Sequence, residues 1–141
     1  MSGDCVSGSG GPGTCVLDPG VLERLRSELD DDEGWRLFLS NFLAHLPRRI
    51  EKLRGGLVHA DYEVSMDAVL SLKISCQMVG AERLAGLALQ LQRQLGVLAG
   101  REQAVSEWLQ LIEMFEDIAA LAGETGLLLG ITVAAAAPSA G

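Results

Sequence analysis

The chain has 141 residues and a formal charge of −8 at pH 7; hydrophobic residues make up 48% of it and aromatic residues only 4%. This length allows one domain with tails and is too short to promise two. The acidic balance argues against a nucleic-acid-binding protein, which normally needs a basic face. With so few aromatic residues, Leu, Val and Ala must fill the core, and this mix favours helices.

The first predicted element follows a Gly- and Ser-rich leader, residues 1–16, which we expect to be disordered because it cannot bury enough surface. Asp18 and Pro19 are typical of a helix N-cap and first helical position. An apolar stripe at three- to four-residue spacing follows, namely Val21, Leu22, Leu25 and Leu29. A short first helix is therefore predicted.

The second predicted helix begins in the acidic run 30–33, where carboxylates complement the helix dipole. Its apolar residues share one face: Trp35, Phe38, Leu39, Phe42, Leu43, Leu46, Ile50 and Leu53. We expect Pro47 to kink this helix, because proline removes one backbone hydrogen bond, and Gly55 and Gly56 to end it.

Three further helices are predicted, from about Asp61 to Val79, from Ala81 to about Ala99 and from about Arg101 to Leu121. The apolar side of the fourth consists of Leu84, Leu87, Ala88, Leu91, Leu95 and Leu98. The apolar side of the fifth consists of Val105, Trp108, Leu109, Ile112, Phe115 and Ala119.

The fold class that follows is all-α: an antiparallel four-helix bundle with a short extra N-terminal helix. The bundle is expected over residues 17–122. Residues 123–141 show no helical periodicity and no charge after Glu124, so we expect a flexible apolar tail there.

The third helix has two apolar faces. At about 100° per residue, one set is expected to face the core: Val64, Ala68, Leu72, Ser75 and Val79. A second set lies on the other side: Met66, Leu70, Lys73, Ile74 and Gln77. Because a helix in a small bundle usually buries one stripe, this second set is a candidate partner surface. The alternative is that the first helix or the C-terminal tail covers it.

The cysteines and the termini bear on the compartment. Cys5, Cys15 and Cys76 lie at none of the spacings of a metal site, so we expect reduced thiols and neither a metal nor a cofactor. The N-terminus lacks the features of a signal peptide, and no uninterrupted apolar run reaches the roughly 18 residues of a membrane span. A soluble cytoplasmic protein without a membrane segment is predicted.

Residues 70–81, LSLKISCQMVGA, resemble the signature of histidine-phosphotransfer (HPt) domains, commonly written H-x-L-K-G-x-x-x-x-x-G-A and followed by a leucine. The matching positions are Leu72, Lys73, Gly80, Ala81 and Leu84. Upstream, Asp61 and the proline-containing segment 42–53 also resemble the family. The resemblance covers about residues 17–121 and implies a helical bundle of phosphorelay signalling.

Two positions depart from the family pattern. Leu70 stands where the family has the histidine that accepts a phosphoryl group from a receiver-domain aspartate, and Ile74 stands where the next glycine would be. A leucine side chain has no nucleophile, so phosphotransfer at this position is excluded. Both changes add branched apolar bulk to the second face.

The resemblance also suggests roles for two polar residues. Lys73 matches the lysine that balances phosphoryl charge, and Gln92 occupies a fourth-helix position that often hydrogen-bonds near the histidine. They either retain a partner contact or are solvated surface groups. The candidate partner-binding residues are thus Met66, Leu70, Lys73, Ile74, Gln77 and Gln92.

Two other features could bear on function. His45 and His59 are expected to be exposed and functionally silent. A basic group stands out in this acidic chain and could meet the acidic pocket of a receiver domain or simply be solvated, and it consists of Arg48, Arg49, Lys52 and Arg54.

Three functions remain open. The first is a non-enzymatic, non-catalytic HPt adaptor that docks a response-regulator receiver domain, with a histidine kinase as the other expected partner class. The second is active phosphotransfer through another histidine. The third is a structural homo-oligomer, for example a homodimer, that uses the Met66, Leu70 and Ile74 stripe as its own interface.

Overall fold

The protein is described from a computed structural model over residues 16–29, 32–99 and 105–136. Five helices lie in these ranges: α1 (Pro19–Leu29), α2 (Asp32–Val58), α3 (Tyr62–Met78), α4 (Glu82–Leu98) and α5 (Val105–Ala136). The long helices α2 to α5 form a closed ring in which each packs on two neighbours, and α1 packs on α2. The predicted all-α four-helix bundle with a short N-terminal helix is confirmed. The leader expected over residues 1–16 lies outside the described residues except for Val16, which is buried.

The start of α1 is fixed by a cap and by a contact with the turn between α3 and α4. Asp18 accepts a hydrogen bond from the Gly20 amide at 2.9 Å, as expected of the predicted N-cap. The Asp18 amide in turn donates to the Gly80 carbonyl at 2.7 Å. Val16 and Leu17 are fully buried beside this contact, so the chain entering α1 belongs to the core.

The apolar face predicted for α2 packs into the core, with Trp35, Leu39 and Leu53 among its buried residues. The expectation that two glycines end this helix was wrong, because α2 continues through Gly55 and Gly56 to Val58. A Cβ on Gly56 would lie 2.7 Å from Ser65 Oγ and 2.9 Å from the Ser65 amide nitrogen. Gly56 therefore serves the close approach of α2 and α3 rather than a helix end.

Asp61 caps α3, since its carboxylate accepts a hydrogen bond from the Val64 amide at 3.1 Å. The orientation predicted for this helix needs correction. The buried residues are Ser65, Ala68, Val69, Leu72 and Cys76. Val64 is 36% exposed and Ser75 half-buried, so the core-facing stripe is rotated toward Val69 and Cys76. Apolar residues occur on more than one side of α3, so their periodicity alone could not determine which side faces the core.

The core face of α4 agrees with the prediction, but α5 differs in two respects. Trp108 and Phe115 are buried as predicted, but Val105 and Leu109 are 76% and 55% exposed, and Leu111 is buried although it was not predicted to be. The flexible tail expected over residues 123–141 was also wrong as far as residue 136, because α5 continues to Ala136, and residues 137–141 lie outside the described residues. Thr125 and Leu129 are fully buried, and this packing holds the extension in the helix.

Within the described residues, one helix is long and apolar enough to cross a membrane, namely Val105–Ala134, in which an 18-residue window has a mean hydropathy of 1.4. This finding neither confirms nor contradicts the expectation of a chain without a membrane segment, because it rests on length and composition alone. The core helix of a soluble bundle satisfies the same criterion, and α5 packs along both α2 and α4.

Candidate partner-docking surface

A ridge of four apolar side chains runs along the outer side of α3 at four-residue spacing: Met66, Leu70, Ile74 and Met78. Residues four apart in a helix lie one above the other, so the four side chains form one row, here called the α3 ridge. Met66 packs partly on the core and Leu70 is half-buried, whereas Ile74 and Met78 are 53% and 52% exposed. Neither α1 nor α5 covers Ile74, so the alternative that they hide the whole second face fails there.

Two of the candidate polar residues meet beside this ridge. Lys73 Nζ on α3 donates a hydrogen bond to Gln92 Oε1 on α4 at 2.8 Å, and the pair is partly buried. Lys73 lies three residues after Leu70 and thus flanks it on the α4 side. Gln77 is exposed one turn further along α3, near the end of α1. All six candidate residues therefore lie on or beside one face of α3.

The other flank of the ridge is a groove of about 280 Å³ between α2 and α3. It is lined by Phe38, Asn41, Phe42, His45, Arg49, Ser75 and Met78. The lining residues combine apolar side chains with cationic or titratable groups and contain no carboxylate. Sequence reasoning missed this groove, because it exists only through the packing of two helices.

The basic group of α2 divides into paired and groove-facing side chains. Lys52 Nζ lies 2.7 Å from Asp67 Oδ2 on α3, and Arg54 pairs with Glu51 on its own helix. Hydrogen bonding to Arg54 holds the pKa of the Glu51 carboxyl below its usual range. Arg49 lines the groove and also lies near Cys76. Of the four residues, Arg49 is thus the one that the structure places at the candidate surface.

The two histidines are exposed, and the ring of each is hydrogen-bonded to a backbone carbonyl oxygen of α2. His45 Nδ1 lies 2.7 Å from the Asn41 carbonyl oxygen, and His59 Nδ1 lies 2.8 Å from the Gly55 carbonyl oxygen. Because a carbonyl oxygen only accepts, Nδ1 is assigned the proton in both rings and Nε2 keeps its lone pair in the neutral form. Only His45 lines the groove.

Cys76 lies beneath the surface and is fully buried in the core. Burial raises the pKa of its thiol to about 12, partly offset by the charge of Arg49. Such a thiol is not a nucleophile at neutral pH. In the described part of the chain, no three His, Cys, Asp or Glu side chains are grouped so as to hold a metal ion.

The signature residues that follow the ridge build the turn between α3 and α4. Gly80 has a φ of +77°, a conformation that favours glycine. A Cβ there would lie 3.0 Å from both the Asp18 carbonyl oxygen and Val21 Cβ. Ala81 and Leu84 are fully buried next to it. These matched positions hold the fold together rather than line the surface.

Comparison with known families agrees with this geometry. The family model described as the Hpt domain matches residues 37–124, which is more than half of the chain and includes α3, α4 and the α3 ridge. No curated protein and no solved structure gives a significant match. Hpt domains act in phosphorelay signalling as phosphoryl carriers rather than enzymes, and they interact with receiver domains and histidine kinases. The chain belongs to the Hpt domain family.

Proposed function

We propose that this chain is a non-catalytic Hpt adaptor that docks a response-regulator receiver domain in the cytoplasm without exchanging phosphate. The observation that carries the proposal is Leu70, which stands at the signature position of the phospho-acceptor histidine and has no nucleophilic atom. The matched residues Leu72, Lys73 and Gly80 on either side of Ile74 fix the register of this assignment.

The shape and polarity of the surface support docking. In the α3 ridge, the two substituted positions, Leu70 and Ile74, supply apolar area, and more than half of the Ile74 side chain is exposed. Exposed apolar residues bordered by polar groups are typical of protein interfaces. The Lys73 and Gln92 pair borders the ridge on one side, and the groove with His45 and Arg49 borders it on the other.

Charge supports an acidic partner. The chain carries a net charge of −8, yet the groove is lined by the cationic Arg49 and by no carboxylate. A local positive charge on an acidic chain attracts an acidic partner surface to this face, while the rest of the molecule repels it. The acidic phosphorylation pocket of a receiver domain has the required character.

Isothermal titration calorimetry with a receiver domain from the same organism tests the proposal. Wild type is expected to bind, and Ile74→Glu to bind at least about tenfold more weakly, because it puts a carboxylate into the interface. Val97→Glu on α4 is the matched control, since Val97 is also β-branched and is 56% exposed against 53% for Ile74. Equal affinity for wild type and Ile74→Glu would overturn the docking surface.

A second candidate function, phosphotransfer through His45, is favoured by one observation. The Nδ1 proton of His45 is held by the Asn41 carbonyl, which leaves Nε2 as a nucleophile in a groove beside Arg49. This function predicts acid-labile phosphate on the chain after incubation with a phosphorylated receiver domain. The phosphate should be absent from His45→Gln and retained by His59→Gln, whose exposed histidine makes the same type of local hydrogen bond.

A further inference from the structure

The second half of α5 carries apolar surface that the bundle does not bury. Residues 118–134 contain a single charged residue, Glu124. Only 28% of the most apolar 18-residue window of this helix is buried, and Leu127 and Ile131 are 65% and 57% exposed. The Hpt family match ends at residue 124, so the family does not account for these two side chains.

A groove lies beside these side chains, between α2 and α5, with a volume of about 410 Å³. It is lined by Leu43, Leu46, Pro47, Ile50, Glu51, Ala119, Ala122, Gly123 and Gly126. A Cβ on Gly123 would meet no atom within 4 Å, so the groove is open at that point. Leu127 follows Gly123 by one helical turn, and α5 therefore presents a projecting row and an open groove side by side.

We infer that this α5 surface binds a second copy of the chain, forming a two-fold symmetric dimer. A two-fold interface must be self-complementary, and a row next to a groove on one helix satisfies that condition. With two α5 helices antiparallel and crossing at the level midway between Gly123 and Leu127, Leu127 of each copy lies opposite Gly123 of the other. Ile131 then lies opposite Ala119, so both projecting side chains meet the partner's groove.

The charge distribution selects the antiparallel arrangement. Four of the five acidic residues of α5 lie in its first half, namely Glu107, Glu113, Glu116 and Asp117. The fifth, Glu124, lies near the crossing point in either orientation, so only the other four distinguish the two orientations. A parallel pair would bring these carboxylates together. In the antiparallel pair each Glu116 lies nine residues from the crossing point, so the two are about 27 Å apart along the helices. That separation exceeds the Debye length of about 8 Å at physiological ionic strength, and the repulsion is largely screened.

The available area sets the strength of the dimer. The face formed by α5 residues 119–134 and the neighbouring part of α2 is about 24 Å long and about 20 Å wide, or about 500 Å² for each copy. The total of about 1,000 Å² lies at the lower limit of specific interfaces. Interfaces of this size are typical of weak association, so we expect a reversible dimer that dissociates on dilution.

Sedimentation velocity on the full chain over a concentration series tests this inference. The expected result is a 14.9 kDa monomer at low concentration and a dimer at high concentration. Leu127→Glu should weaken the dimer at least about tenfold, because the two-fold axis brings two like charges together. Leu109→Glu, 55% exposed on the first half of the same helix, is the matched control and should not change it. Circular dichroism verifies that both variants fold.

Gly123→Gln provides a second test, in which the dimer should become weaker while the monomer becomes more stable. The new side chain fills the open groove and should weaken the dimer, while the higher helix propensity of glutamine should raise the melting temperature of the monomer. A chain that stays monomeric at every concentration would overturn the inference, as would a dimer that neither Leu127→Glu nor Gly123→Gln weakens. Cosedimentation with phosphatidylcholine vesicles that Leu127→Glu abolishes, by a chain that is monomeric in solution, would instead assign the surface to a lipid bilayer and overturn it too.

This surface and the receiver-docking surface lie on different sides of α2. The two proposals can therefore fail independently.

Discussion

The family signature in this chain has buried positions, here called inner, and surface positions, here called outer. The inner positions match the family pattern, and two of the outer positions do not. The inner positions Leu72, Gly80, Ala81 and Leu84 are buried and match the signature. The outer positions Leu70 and Ile74, half-buried and exposed, are the ones that differ from it. The bundle depends on the inner positions, whereas phosphotransfer depends on the outer ones. Fold and phospho-acceptor chemistry thus depend on separate residues of the signature, and this chain matches it at the residues on which the fold depends.

The largest effect that tests this separation is expected from a pair of truncations on α3. Leu72→Ala removes a fully buried side chain and should lower the free energy of unfolding by about 2–5 kcal/mol. Ile74→Ala, at a position 53% exposed, should change it by no more than about 0.5 kcal/mol. Urea denaturation measures both, and similar costs at the two positions would contradict the division into inner and outer parts.

Gly80 provides the next test. Gly80→Ala should lower the free energy of unfolding by about 1–2 kcal/mol, because a left-handed conformation at φ +77° is strained for alanine and its Cβ lies 3.0 Å from the Asp18 carbonyl oxygen. Gly86→Ala within α4 is the control, since its Cβ meets no atom within 4 Å. It should raise the stability by up to about 1 kcal/mol. Thermal melts of the two variants should shift in opposite directions, and a shift in the same direction would refute the role of Gly80.

The hydrogen bond from Lys73 to Gln92 is partly buried and lies between the inner and the outer positions. A double-mutant cycle with Lys73→Met and Gln92→Leu should give a coupling energy of about 0.5–1.5 kcal/mol, as for a typical partly buried hydrogen bond. Chemical denaturation supplies the four free energies. A coupling indistinguishable from zero would mean that the pair does not tie α3 to α4.

The smallest effect is expected from ionisation of the Cys76 thiol, which changes the free energy of unfolding only at alkaline pH. Its pKa in the folded protein is about 12, above the ordinary value of 9.0, so the stability associated with the neutral thiol is fully present below pH 9 and is lost as the pH rises toward 12. The free energy of unfolding of wild type should therefore fall more steeply over pH 9–12 than that of Cys76→Ala. Parallel pH profiles would show that Cys76 is not buried.

Much of the fold could be predicted from the sequence because local signals coincide with the packing. Asp18 is a cap at the predicted place, Asp61 caps the helix that was predicted to begin there, and the apolar face predicted for α2 is buried. The extension of α5 could not be predicted, because residues 123–136 carry glycines and few charges, and their helix depends on burial of Thr125 and Leu129. Gly56 was misassigned for a similar reason, since its contact with Ser65 is a tertiary one.

The candidate site was predictable in part. The family signature located Leu70, Lys73 and Ile74, and the structure brings Lys73 and Gln92 into contact. The groove with His45 and Arg49 was not predictable, because it depends on how α2 and α3 face each other. The true rotation of α3 depends on the same packing, and periodicity alone could not supply it.

The most direct test of the central claim is a phosphotransfer assay. The purified chain is incubated with a radiolabelled phosphorylated receiver domain, and acid-labile phosphate on the chain is measured. The Leu70→His/Ile74→Gly double variant serves as a comparison that restores the signature histidine and glycine. The account predicts that wild type acquires no phosphate although it binds the receiver domain, whereas phosphate on wild type that is lost in His45→Gln would contradict it.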